Sequence, residues 1–334
     1  MQSRGAGKET GTTVAGRVVA LAMAGALVVV SLSACVSGAS QPRAARTEHA
    51  ALAGSSPSPT PGPRGMRQIQ VASAPKHVLA TGAALADVET NGLLWSREFY
   101  TERPIGSIAK VMTALVVLQS GNLNQQIRIP KAVISYVAKY QGESAGLRPG
   151  DVLTVSQLLE ALLLQSACDA AYVLATTYGP GVPAFLAKMN AMALRLGMTQ
   201  THFTSPDGLP YPSEYSTYST PADLLTLGLA AMKLPAFRSI VGQRFYNLPK
   251  SKGLHHAYWW GNTNFLIGSY QGADGIKTGY TDAAKHCLLF EAVRHGTTLI
   301  GVVLGSPDTG PAAGAQAAAK LLDWGFGLKL AAPG

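Results

Sequence analysis

The sequence predicts an α/β (α+β) domain: a five-stranded antiparallel sheet built from both termini, with a helical lobe inserted between. Three observations carry this. A strand–turn–strand pattern with Asn91-Gly92 at its bend opens the domain. Three strand-like runs separated by turns close it, within Ala273–Leu304. The long interval between them reads as successive helices. Strands at both ends with helices between fit one sheet completed by the two termini.

The first 34 residues precede this domain. Arg4, Lys8 and Arg17 against Glu9 give the first 20 residues +2 of the chain's +9, leaving +7 for the rest. Val18 to Leu32 is almost purely apolar, the length of a signal-peptide core and short for a membrane span. Leu32-Ser33-Ala34-Cys35 follows and resembles a bacterial lipobox, in which cleavage precedes a cysteine that is then lipidated. Residues 1–34 are therefore expected to be a lipoprotein-type signal peptide, with Cys35 the lipidated residue. The domain is expected on the outer face of the cytoplasmic membrane, lipid-anchored; an uncleaved transmembrane anchor and a secreted form are the alternatives. Residues 35–75 are rich in Ser, Ala, Gly and Pro, with Pro57, Pro59, Pro61 and Pro63 alternating, and read as a linker.

The domain is expected to start near Lys76. His77–Asp87 and Leu93–Ser96 form the predicted hairpin. The apolar run Val111–Leu118, ended by Gly121, predicts a helix with Ser107 in its first turn. Leu153–Leu164 and Asp169–Tyr178 read as two helices meeting near Gln165–Cys168. Phe185–Leu196 is a third, stopped by Gly197. Pro221–Met232 is a fourth, with Pro221 and Asp223 at its start. Ala273–Tyr280, His286–Val293 and Thr297–Leu304 read as the closing strands, and Ala312–Leu322 as the last helix.

Composition excludes several classes. A hydrophobic content of 47% with 13% charged residues fits a globular protein with an apolar segment. There is no Lys/Arg run and no aromatic-basic interleaving, so no nucleic-acid partner is expected, and the basic balance suits an anionic cell surface. Besides Cys35 the cysteines are Cys168 and Cys287, too few for a disulfide scaffold, and whether they pair is open. No metal-ligand spacing is present, and neither a metal nor a cofactor is expected.

Three short motifs carry chemistry. Ser107 and Lys110, three residues apart, share a helical face at a helix start, where free N–H groups favour developing negative charge. A hydroxyl, an amine able to take its proton and an anion-stabilising terminus suffice for serine acylation without histidine. Alone, S-x-x-K also fits a helix cap beside a solvated lysine. Lys277-Thr278-Gly279 places a cation and a hydroxyl beside a glycine on a strand, where a ligand backbone can run and a carboxylate bind. A plain turn is the alternative. Ser166-Ala167-Cys168 places a serine between two helices, able to relay a proton or to serve as a helix–helix turn.

Their order, S-x-x-K then S-x-C then K-T-G across the domain, is the signature of penicillin-interacting serine enzymes. The flanking runs Ser144–Asp151, Leu196–Phe203, Asp207-Gly208-Leu209 and Asp274–Thr281 extend it. The chain resembles the D-alanyl-D-alanine carboxypeptidase family, the low-molecular-mass penicillin-binding proteins, from about residue 76 to about 305. The resemblance implies a β-lactamase/transpeptidase-like fold and a serine DD-peptidase catalytic domain over residues 76–330. It implies an acyl-enzyme on Ser107, Lys110 as base, and Ser166 relaying the proton to leaving D-alanine. Lys277, Thr278, Gly279 and Cys168 would bind substrate, and the backbone N–H groups of Ser107 and Tyr280 would form the oxyanion hole. The implied partners are peptidoglycan stem peptides ending in D-Ala-D-Ala, with β-lactams as inhibitors.

Two positions depart from the family pattern. Cys168 replaces the usual asparagine, exchanging an amide for a weakly hydrogen-bonding thiol. Lys285 stands where glycine is common, with a structural effect expected on the strand turn. The sequence is also expected to lack the extra C-terminal β-domain of some relatives, leaving the lipid as tether. The alternatives are a DD-transpeptidase, a β-lactamase of the same fold and a non-catalytic penicillin or cell-wall binding module. Against a class A β-lactamase, Glu214 is followed four residues later by Tyr218 and not by asparagine.

Overall fold

The computed structural model describes residues 65–328. The apolar leader, Cys35 and the linker up to residue 64 lie outside the described residues. The strands of the main sheet are β1 (Arg67–Gln68), β2 (Gly82–Asp87), β3 (Gly92–Arg97), β4 (Ala273–Gly279), β5 (His286–Arg294) and β6 (Thr297–Ser306). Their order is β1-β3-β2-β6-β5-β4. The five expected strands are antiparallel neighbours, completed by β6 pairing with β2 across the two ends of the chain. The expected count of five is corrected to six, and the sheet is mixed. β1 adds to β3 in parallel, through Arg67 N–H to Asn91 O and Ile69 N–H to Leu93 O. Two residues are too few to give a periodic signal, and β1 lies ahead of the predicted Lys76 start.

β2 is buried along its whole length, because both sheet faces are covered. Alternate residues go to opposite sides. Leu85, Leu288, Phe290, Leu299 and Val303 pack on one face with Ala317, Ala318, Leu321 and Leu322. These last four belong to the closing helix, which spans Ala313–Phe326. Ala84, Ala86, Leu289, Ile300 and Val302 face the helical lobe. Removing a ring such as Phe290 from such a core costs about 3–5 kcal/mol.

The lobe is built around α1 (Ala109–Ser120). Val111, Met112, Ala114, Leu115 and Val117 lie on different sides of this helix, and all are buried. A helix apolar all round is a core helix. It is packed by α3 (Val155–Leu163), α4 (Cys168–Tyr178), α5 (Val182–Leu196) and α6 (Pro221–Met232). α2 (Ala132–Tyr140) lies against α4, and α7 (Pro235–Val241) against α6 and β4; the closing helix is α8. α3 starts two residues later than predicted because Thr154 and Gln157 form a capping box. α6 matches its predicted span, with Thr220 accepting from the Asp223 N–H at 3.1 Å and Pro221 opening the first turn. α5 ends at Gly197 with φ +80°. The sequence reading missed α2 and α7. Both are short, and α2 is rich in β-branched and aromatic residues that read as strand.

Candidate active site

The nucleophile turn precedes α1. Gly106–Ile108 forms one 3₁₀ turn that runs on into the helix, so Ser107 sits just ahead of α1 and not inside its first α-turn as predicted. The fully buried Ile105 and Ile108 anchor the turn on either side of the serine. Lys110 is completely buried, and its Nζ makes three contacts: Ser107 Oγ at 2.8 Å, the Asp207 carbonyl at 2.8 Å and Cys168 Sγ at 3.5 Å. The contact with the Asp207 carbonyl aims Nζ at Ser107 Oγ, within reach of the hydroxyl proton. Neither the helix cap nor the solvated lysine fits this geometry.

The loop supplying Asp207 is itself fixed. Ser205 Oγ accepts from the Gly208 N–H at 2.9 Å and donates to the Leu209 carbonyl at 3.1 Å. Tyr136 from α2 donates to Asp207 Oδ2 at 2.6 Å; burial, and then the Asp207 charge and this bond, push the phenol far above its ordinary range. Gly208 lies against the carbonyl of Gly106, and Gly279 against the carbonyl of Ile105. A Cβ at either position would collide with backbone, so glycine lets three chain segments meet around the serine. The same approach puts the backbone nitrogen of Tyr280 beside Gly106, next to Ser107.

These groups line a cleft of ≈ 620 Å³ walled by Ser107, Ser166, Cys168, Thr278, Gly279 and Tyr280 among others. Ser166 sits between α3 and α4 with φ +61°, a left-handed conformation that is costly for serine and is found at functional turns. Cys168 is the first residue of α4; burial pushes its thiol up to about 12, so it is protonated at neutral pH. Cys168 and Cys287 are both free thiols, which settles the open pairing. Thr278 lines the cleft and shares a 2.7 Å hydrogen bond with Thr263. Lys277 lies behind it, 1% exposed, with Nζ donating at 3.2 Å to the Thr278 carbonyl and hydroxyl. Burial, and then the neighbouring Lys110, hold the Lys277 amine well below the usual lysine range.

The sequence reading assigned no role to four further groups. Asp169, in the first turn of α4, takes the N–H groups of Ala145 and Leu147 and the Ser144 hydroxyl, fixing the segment that follows the cleft-lining Glu143. Glu143 lines the cleft, and its charge acts on Lys277. At the rim, Asp308 accepts from the Tyr280 hydroxyl at 3.1 Å, while its other oxygen meets His286 Nε2 at 3.0 Å. The His286 bond holds the Asp308 carboxyl below its ordinary range. None of these belongs to a local motif; the fold brings them from separate elements. Glu214 accepts from the Ala283 N–H at 3.2 Å in the turn between β4 and β5 and is not among the cleft-lining residues.

A buried lysine on a serine hydroxyl, a strand amide beside that serine and a threonine-lined wall define a serine acyl-transfer site. Residues 68–308 match the family model described as D-alanyl-D-alanine carboxypeptidase, and the chain belongs to that family. It is 40% identical over 262 residues to a D-alanyl-D-alanine carboxypeptidase of Streptomyces sp. strain K15, covering 75% of this chain and 88% of that one. It is 38% identical over 247 residues to one from Mycobacterium tuberculosis, covering 73% and 81%. The crystal structure of the Streptomyces K15 DD-transpeptidase matches with a TM-score of 0.71 at 40% identity, over 76% of this chain and 99% of that one. A crystal structure of a D-alanyl-D-alanine carboxypeptidase from Mycobacterium tuberculosis matches at 0.68 and 33% identity, over 80% and 96%.

Proposed function

We propose that the protein is a serine-type D-Ala-D-Ala carboxypeptidase acting on peptidoglycan stem peptides. The observation that carries this is Lys110 Nζ at 2.8 Å from Ser107 Oγ, with a second contact on the Asp207 carbonyl. In the first step the Ser107 oxygen attacks the carbonyl between the two terminal D-alanines while Lys110 takes its proton. The developing oxyanion is held by the N–H groups of Ser107 and Tyr280, each such donor being worth roughly 3 kcal/mol. The lysine proton passes to the leaving D-alanine through Ser166. Thr278 binds the substrate's terminal carboxylate, with Lys277 behind it as the electrostatic support. Water then cleaves the Ser107 ester, or an amine takes the acyl group. A β-lactam enters the same first step and leaves Ser107 acylated.

Fluorescent penicillin tests the acylation. Labelling of the native chain and its loss in Ser107→Ala are expected; labelling that persists in the variant would overturn the assignment. Incubation with a D-Ala-D-Ala pentapeptide, with and without an amine acceptor, separates release of D-alanine from transfer. Transfer is the second reading, favoured by the relative described as a DD-transpeptidase.

We further propose an exported protein held at the outer face of the cytoplasmic membrane by lipid on Cys35. Radiolabelled palmitate should enter the native chain and not Cys35→Ser; equal incorporation would rule the anchor out.

A further inference from the structure

We propose that the outer face of the ribbon formed by Phe245–Leu248 and Tyr258–Gly261 docks the glycan strand of the polymer whose stem peptides enter the cleft. This rests on the peptidoglycan reading above. The ribbon's two faces divide its side chains. Leu248, Tyr258 and Trp260 are buried, with Tyr258 donating to Asp151 and Trp260 to the Ala145 carbonyl. Those residues account for the ribbon's packing. Phe245 and Trp259 do not: they are 55% and 64% exposed, and they stack on each other with ring centres 6.0 Å apart. Large exposed rings grouped together mark an interaction surface.

The surface is continuous with the cleft. The Trp259 ring reaches back over Gly261, where an added Cβ would lie 3.1 Å from it. Gly261 and Phe265 line the cleft, and Phe265 is itself half exposed. Three accessible rings therefore run outward from the cleft wall. Asn247 faces Trp259 across the ribbon and presents an exposed amide. A flat ring beside an amide suits a sugar, whose C–H face stacks on the ring while hydroxyl and acetamido groups bond the amide. A lipid surface would make no use of that amide. Charge points the same way: Arg244, Lys250 and Lys252 are exposed, and no Asp or Glu occurs between Arg244 and Ala273. That suits a polymer bearing carboxylates. Binding the strand here raises the local concentration of its stem peptides at Ser107.

The test compares substrates with the full chain, Trp259→Ala and Trp259→Tyr. Losing an exposed aromatic anchor is expected to lower D-alanine release from insoluble peptidoglycan about tenfold. Release from a free pentapeptide and penicillin labelling should stay unchanged, and Trp259→Tyr should restore most of the polymer activity. In a second arm, the native chain should pellet with glycan stripped of its peptides and Trp259→Ala should not. This arm reads the platform even if no D-alanine is released from any substrate. Equal loss on polymer and pentapeptide, or pelleting with glycan that ignores Trp259, overturns the proposal. So does Trp259-dependent binding to phosphatidylglycerol vesicles without glycan binding, which would assign the face to the membrane.

Discussion

The Cys168 thiol lies 3.5 Å from Lys110 Nζ, the third contact of a lysine whose other two are at 2.8 Å. Sulfur is a weak acceptor, and this thiol is kept protonated by burial. Cys168 therefore orients Lys110 less firmly than an amide oxygen would, and it gives the substrate no strong donor. Cys168→Asn supplies both. One added hydrogen bond is worth about 1 kcal/mol, so D-alanine release should rise roughly fivefold. Steady-state release from a pentapeptide measures it; an unchanged rate would mean that the thiol does not limit turnover.

Asp308 ties the hydroxyl of Tyr280 to His286 across the cleft rim. Tyr280 is the residue whose backbone nitrogen lies beside Gly106, so the clamp steadies the end of β4 at the site of the proposed oxyanion. Misplacement by 1 Å can cost ~10²-fold in rate, and loosening one anchor is expected to cost about tenfold. Asp308→Ala should slow penicillin acylation by that factor without moving the melting temperature, because the side chain is 51% exposed. Asp308→Asn keeps an acceptor for Tyr280 and should recover much of the rate. Stopped-flow acylation of the two variants decides between positioning and general damage.

The parts legible in the sequence were those with a local signal. Asn91-Gly92, the α6 start at Pro221 and the stop at Gly197 each act through their own backbone conformation, and each was found; the Thr220 cap was not. Ser107 and Lys110 were placed together because helix geometry relates residues three apart, although the serine stands in a 3₁₀ turn. The Asp207 carbonyl, Tyr136 and Asp308 reach the site through tertiary structure, and a backbone carbonyl has no sequence signature at all. Asp207-Gly208-Leu209 stood out only by family resemblance; its physical role is to seat Lys110 and to let Gly208 pass against Gly106.

Glu160 gives the fold a pH dependence of known sign. It is buried on α3, and Gln243 Nε2 donates to both its oxygens at 3.1 and 3.2 Å. Burial raises its carboxyl to about 7, and the Gln243 bond only partly offsets this. An unfolded glutamate titrates near ~4.3. Between those values the folded chain holds a proton that the unfolded chain has released, so this group's contribution to stability falls as pH rises through the window. Glu160→Gln removes the charge and keeps the shape. Its melting temperature should exceed that of the native chain at pH 8, and the gap should shrink towards pH 5. Thermal melts across that range check it, and a gap independent of pH would contradict the assignment.

Lys285 precedes β5 with φ +53°, in the left-handed region where glycine is favoured, and its N–H donates to the Thr281 carbonyl at 2.9 Å. The structural effect expected from a lysine at this position is thus a strained turn. Left-handed backbone costs a non-glycine residue about 1–2 kcal/mol. Glycine relieves that strain but loses about 0.5–1 kcal/mol more to conformational entropy on folding. The lysine side chain is exposed, so no core packing is lost with it. Lys285→Gly should therefore stabilise the domain by about 0.5–1 kcal/mol, a rise of roughly 1–4 °C in melting temperature for a domain of this size. Lys285→Ala keeps the strain and removes only the charge, so it should leave the melting temperature near the native value. If the alanine variant gained as much as the glycine variant, the lysine charge and not the backbone would be the source of the cost.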